Sequence, residues 1–282
     1  YLDYQATTPL APEALAAMLP WLERQHANPH SAHALGRAAK AAVEVAREDI
    51  ASLLPSDGSV RFTSGATEAL NWAMKGTQGS IVTLATEHAA VLDTVSAEAR
   101  HGRAVTVLPV GGDGLVDVAA ARAAIRPGVG LVAAMLVNNE IGVIQPVAQL
   151  AALAHAAGAL FLCDAVQGYG RVRIPEECDL VAISAHKVHG PKGVGALGVR
   201  DGVTLAPLLH GGGQEGGLRS GTLSPALCAG FGAAAALMRE PGFNGDVAAL
   251  WDVARGILAG PDWTLNGDRD ARYRGNLNVR MD

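Results

Sequence analysis

Lysine is the scarce residue of this chain. Of 22 basic residues among 282, only four are lysines, at Lys40, Lys75, Lys187 and Lys192, and two of them fall in SAHKVHGPKGVG (184–195). Other shortages exclude whole classes of function. Three scattered cysteines, Cys163, Cys178 and Cys228, form no CxxC pair. That argues against a disulfide framework or a zinc site, predicts no metal, and fits a reducing cytoplasm. A net charge of −5 leaves no basic excess, so nucleic acid is not expected as a direct ligand. The longest apolar runs, such as LAALAHAAGALFLC (150–163), are broken by His155 and Gly158 and fall short of a membrane span. No signal peptide is visible, although the first residue is Tyr1 and the start could be trimmed. GxSxG and a catalytic triad are missing as well.

What is present is 49% hydrophobic residues, enough for a sizeable core in one or two domains. Helix-period segments at 12–25, 35–54, 67–75, 89–101, 117–125, 146–157 and 225–239 alternate with apolar runs. Those runs lie at 60–64, 80–85, 104–109, 130–137, 159–164 and 179–184. The alternation predicts an α/β fold with a mostly parallel sheet covered by helices on both faces. The end, 261–282, closes on the strand-like NLNVRM and reads as the start of a further unit.

Ligands of such sheets bind beyond the carboxyl ends of the strands, and polar residues collect there. The run at 60–64 leads into GATEA with Thr67 and Glu68; 80–85 leads to His88; 130–137 to Asn138, Asn139 and Glu140. The run 159–164 ends in Asp164 with Gln167 close behind, and 179–184 ends in Ser184, His186 and Lys187. Taken singly, several have plain readings: SGATE is also an ordinary capped helix start, and His88 an ordinary histidine. Asp164 carries more weight, because a carboxylate among buried neighbours needs a cationic or protonated partner. Lys187 carries most. Desolvation beside a buried strand lowers an amine's pKa and frees it as a nucleophile. An uncharged amine, a buried acid and a helix start able to hold phosphate are the parts of a pyridoxal phosphate site. GVGALG (193–198) matches GxGxxG but does not follow a strand, so a dinucleotide reading fails on context. His26, His30 and His33 have helical spacing that Asn28-Pro29 interrupts.

The segments YLDYQATTP (1–9), NPHSAHALG (28–36), FTSGATEALN (62–71), TEHAAVLDT (86–94), VNNEIGVIQP (137–146), DAVQ (164–167), SAHKVHGPKGVGAL (184–197) and HGGGQEGGLRSGTLS (210–224) closely resemble cysteine desulfurases of the NifS/IscS type. These belong to the class V aminotransferase superfamily and have the fold type I architecture of pyridoxal phosphate enzymes. The resemblance implies a large cofactor-binding domain over 12–245 and a partial smaller α+β domain from 1–11 and 246–282. It implies conversion of L-cysteine to L-alanine, with sulfur passing through an enzyme persulfide to an acceptor such as an iron–sulfur scaffold protein. By motif, Lys187 would be the Schiff-base lysine, Asp164 would meet the pyridine nitrogen, and Gln167 the ring hydroxyl. His88 would stack on the ring and move protons, while Asn139 would contact the cofactor and substrate region. Ala66, Thr67, Ser184 and His186 would hold the phosphate, and Thr222 would reach that of a neighbouring subunit in a homodimer. The family's nucleophilic cysteine, in an SSGSACxS loop, and its substrate-carboxylate arginine come later than NLNVRMD. The resemblance therefore implies an incomplete view of a longer protein. A selenocysteine lyase, another class V aminotransferase, or an impaired homologue acting as a binding partner in sulfur assembly are the alternatives.

Overall fold

The computed structural model describes residues 1–55, 57–258, 260 and 262–281. Helices α1 (Pro12–Glu23) and α2 (Ala34–Ala51) lead into β1 (Ser59–Thr63), α3 (Ala66–Lys75), β2 (Ser80–Leu84) and α4 (Ala89–Arg100). Then follow β3 (Val105–Leu108), α5 (Val118–Ala124), β4 (Val129–Met135), α6 (Val147–Ala156), β5 (Leu160–Asp164) and β6 (Leu180–Ser184). The chain continues through a 3-10 turn at Ala185–Lys187 to β7 (Gly195–Val199), α7 (Pro225–Met238) and α8 (Val247–Ile257). It closes with β8 (Trp263–Leu265) and β9 (Val279–Met281).

Seven strands form one sheet in the order β1-β7-β6-β5-β4-β2-β3, while β8 and β9 pair with each other in a separate antiparallel sheet. All seven helices and six strands expected from sequence periodicity are found, with ends shifted by a few residues. Alternation along the strands divides the core. Phe161, Cys163, Val181 and Ile183 face one side with residues of α2, α6 and α7. Leu162, Leu180 and Ala182 face the other with α3 and α4. Both faces are apolar because both are covered, which is why the strands read as continuous hydrophobic runs. Each such large side chain contributes ~1.5–3 kcal/mol by leaving water.

Two features depart from expectation. Strand β7 runs antiparallel between β1 and β6, with Ser184 in register opposite Gly195. The chain between them is too short for the helical crossover that a parallel return needs, so it turns straight back. Lys187 lies in that short connection. Gly195 also explains GVGALG without a dinucleotide: a Cβ there would stand 2.7 Å from the Gly65 backbone and 2.6 Å from Ile183 O. Helix α8 was not expected. Its apolar Leu250, Val253 and Ile257 are exposed while Trp251 is buried, so its pattern carries no clean inward stripe.

Candidate active site

Since β7 is the single reversed strand, the carboxyl ends of β1, β6, β5, β4 and β2 share one edge of the sheet. A cavity of about 680 Å³ opens along that edge. Ala66, Thr67, His88, Asn139, Asp164, Gln167, Ser184, His186 and Lys187 all line it. Thr222 does not; it lies exposed on the loop before α7.

At the β1 end, Gly65 in extended backbone starts α3. The first-turn N–H groups of a helix have no partner within it, and the dipole adds partial positive charge. Ala66 and Thr67 thus present an anion cradle to the cavity, and Ser184, His186 and Lys192 line the same space. Glu68 does not oppose an anion there. Its carboxylate takes Ser64 N at 2.9 Å and a two-point ion pair from Arg219, at 2.6 and 3.1 Å. Burial favours its protonated form, but the bonds from Arg219 and Ser64 outweigh that and lower its pKa.

In the middle of the edge, Asp164 is buried and accepts Val166 N at 3.0 Å. Burial raises its pKa, against the pull of that N–H and of His88 and Lys187. Gln167 donates Nε2–H to Gln5 O at 2.8 Å, leaving its buried Oε1 without a partner. Lys187 donates to the carbonyls of Gln5 and Ala6. Burial lowers the pKa of its amine first, the Arg171 guanidinium next, while Asp164, Asp3 and Glu140 act in the opposite direction. His186 touches Thr7 Oγ1 at 3.1 Å, and burial, then Lys187 and Lys192, lower its pKa. At the far side His88 caps α4, its Nδ1 accepting Ala90 N at 3.0 Å. The neutral ring therefore carries its proton on Nε2. Asn138 builds the turn beneath Asn139, taking the N–H groups of Glu140 and Ile141 on Oδ1.

Sequence reasoning did not single out the lid of this site. Asp3, Gln5, Ala6 and Thr7 from the N-terminal segment line the cavity. Thr8 ties that segment down, its N and Oγ1 both donating to His186 O. The signal was YLDYQATTP itself, a polar stretch outside every helix and strand. Lys192 and Gly193, left without a role in sequence, complete the wall. The three cysteines lie elsewhere: Cys163, Cys178 and Cys228 are at most 2% exposed, and burial pushes the Cys228 thiol up to about 12.

This donor set fits pyridoxal phosphate. The helix start and its polar neighbours suit the phosphate, the orphaned Gln167 Oε1 suits a hydroxyl donor, and Asp164 suits a cationic ring N–H. Lys187 supplies the amine.

Comparisons agree with the geometry. The aminotransferase class-V family matches residues 1–257. A mitochondrial cysteine desulfurase of Saccharomyces cerevisiae is 45% identical over 297 residues, covering 99% of this chain and 60% of its own length. The cysteine desulfurase IscS of Rickettsia bellii is 43% identical, covering 99% and 72%. Among solved structures, one described as SspA in complex with cysteine superposes with a TM-score of 0.91 at 36% identity, over 100% of this chain and 83% of that one. A NifS-like protein has a TM-score of 0.91 at 32% identity, over 99% and 80%. The chain thus spans about 60% of the yeast relative that it matches. With its lysine, acid and anion cradle on one sheet edge, the chain belongs to the cysteine desulfurases of the class-V aminotransferase family.

Proposed function

We propose that this chain is the cofactor-binding part of a pyridoxal phosphate-dependent cysteine desulfurase acting on L-cysteine. The observation that carries the proposal is the convergence of Lys187, Asp164 and the α3 start on one cavity. When bound, the cofactor supplies an electron sink that lets a substrate Cα–H bond break. Lys187 is the amine that holds it. Asp164, at the buried end of β5, keeps a positive charge on the ring nitrogen, a role that also relieves the cost of its own burial. Gln167 fixes the ring hydroxyl, Asn139 contacts the cofactor and substrate region, and Ala66, Thr67, Ser184 and His186 bind phosphate. His88, whose Nδ1 accepts the Ala90 N–H, would stack on the ring and move protons through Nε2.

Delivering the sulfur of cysteine to an enzyme persulfide needs a thiolate that attacks the substrate sulfur. Cys163, Cys178 and Cys228 are each buried, which leaves none of these three placed to act as that thiolate. The acceptor is a sulfur-carrying or iron–sulfur scaffold protein, as the IscS name of one relative suggests. The exposed Thr222, outside the lining of its own cavity, supports a homodimer in which it would serve the partner's phosphate. The division into 12–245 and a smaller unit from 1–11 and 246–282 has support in the separate β8–β9 sheet. A cytoplasmic setting suits three reduced cysteines, and among the described residues no helix is long and apolar enough to cross a membrane.

The test is a visible spectrum of the chain with pyridoxal phosphate, before and after borohydride, with peptide mapping of the adduct. A pyridoxyl group on Lys187 is expected. A group elsewhere, or no chromophore, overturns the site. For the full-length protein, alanine and sulfide from L-cysteine are expected; preference for selenocysteine or an amino donor would move the assignment within the family.

A further inference from the structure

Arg171 has no role in the site as read so far, yet it is the most confined cation next to it. Its backbone is held in the tight turn after Asp164, where Arg171 N donates to Gly168 O at 2.8 Å. Tyr169 pins that turn, being 1% exposed and donating its hydroxyl to Ile50 O at 2.8 Å. The side chain runs under the lysine turn, and Nη2 donates to the backbone carbonyl of Lys187 at 2.5 Å. Nη1 is buried with no hydrogen-bond partner. The ring of Tyr273 lies 5.9 Å from the guanidinium carbon. Among the described residues no ion pair includes Arg171. A guanidinium stays charged at any ordinary pH, even where burial weakens its hold on the proton.

A buried cation without a counter-charge is costly, and its field acts on whatever lies nearby. What lies nearby is the Lys187 amine. Three carboxylates line the same cavity as that amine: Asp164 from β5, Asp3 from the N-terminal segment and Glu140 from the turn after β4. Each of them favours the ammonium form, which is no nucleophile. His88, His186 and Lys192 line the same cavity. Burial and Arg171 are what oppose the three acids.

We propose that Arg171 is a positioning residue for Lys187: it clamps the lysine's carbonyl and sets a fixed positive charge behind its amine, keeping the amine reactive among three acids. The logic is that of other nucleophilic lysines activated by a neighbouring cation. The inference rests on reading Lys187 as the cofactor-bearing amine, but its test does not need the cofactor.

The scarcity of lysine makes the test clean. The cofactor-free full chain is labelled competitively at its amines across pH 6–11, and peptide mass spectrometry follows each lysine separately. Exposed Lys40 and Lys75 serve as references within the same molecule. In the wild type, Lys187 should become labelled at lower pH than the exposed amines. R171Q keeps a hydrogen-bond donor and loses the charge; its Lys187 midpoint should rise, with labelling at pH 8 at least about three-fold slower. R171K keeps the charge and should stay near the wild type. D3N leaves Arg171 intact and removes an opposing carboxylate, so it should move the midpoint downward. An R171Q midpoint equal to the wild type, or R171K and R171Q moving together, would overturn the proposal. A borohydride adduct missing from Lys187 while these shifts persist would count against the cofactor reading instead.

Discussion

Glu87 and Asp164 are two buried carboxyls that meet at a single residue of β4. Met135 donates its N–H to Glu87 Oε1 at 2.9 Å and stands in register opposite Asp164. The β2–β4 pairing ends with Val82 opposite Val132, three residues before Met135, so the Glu87 side chain takes the place of a missing strand partner. Of the two acids, Asp164 lines the cavity, while Glu87 lies outside its lining with Oε2 lacking a partner.

Burial pushes the Glu87 carboxyl well above the usual range, with the neighbouring Asp164 adding to it against the Met135 N–H. A carboxyl whose folded pKa is raised contributes stability below its unfolded value and loses it as pH rises through the folded one. Each unit of that shift is worth ~1.4 kcal/mol. The cofactor-free chain should therefore lose stability as pH rises above the ordinary carboxylate range, and E87Q should flatten the loss. Urea denaturation at several pH values checks this. Parallel profiles for the two proteins would remove Glu87 as the cause.

If Asp164 supports the ring nitrogen as proposed, its loss should show in the chemistry before it shows in the fold. D164N is expected to keep the borohydride adduct at Lys187. It should slow exchange of the Cα proton of L-alanine with deuterated water by at least ~100-fold, about 2.7 kcal/mol in barrier. Proton NMR of the amino acid follows this directly. Exchange at the wild-type rate would mean that another group supports the ring nitrogen.

Gly195 sets how closely β7 approaches the start of α3. In G195A the new Cβ meets backbone on two sides, Ile183 O and Gly65, and neither can swing aside as a side chain would. A loss of ~1–3 kcal/mol is expected from overpacking. Displacement of the anion cradle should also weaken pyridoxal phosphate binding more than it weakens, for example, K75A, an exposed control at the other end of α3. Equal affinities in a chromophore titration would separate the packing of Gly195 from the cradle.

Arg219 joins the RSGT loop to α3 through its two-point bond with Glu68. R219A should release that loop, and with it Thr222, while leaving the sheet intact. If Thr222 serves a partner subunit, the dimer should dissociate at higher protein concentration in R219A than in the wild type. Sedimentation across a dilution series measures this, and an unchanged midpoint would detach the loop from assembly.

Much of this could be seen in the sequence because two-sided burial leaves an unmistakable mark. Strands such as LFLCD and LVAIS have almost no polar residue until the edge, so Asp164 and Ser184 announce where the strand stops. Lys187 stood out by rarity and by that position. Arg171, in contrast, is one of many arginines in a loop, and its meeting with Lys187 depends on a turn that no local pattern encodes. Glu87 hid between Thr86 and His88, since its burial follows from where β2 ends relative to β4. The sense of β7 came from connection length and not from composition. In α8, Leu250, Val253 and Ile257 do recur at helical spacing; what no local pattern conveys is that this stripe faces outward.

The short link between β6 and β7 has one further consequence. Its two ends are stitched together, Ser184 opposite Gly195, before any cofactor arrives. Closing a loop costs entropy that grows with its length, and here the sheet has already met that cost. Lys187, in the turn directly after β6, is consequently confined to a small volume. A tethered amine of this kind is an intramolecular reagent, with the high effective concentration that such reagents have.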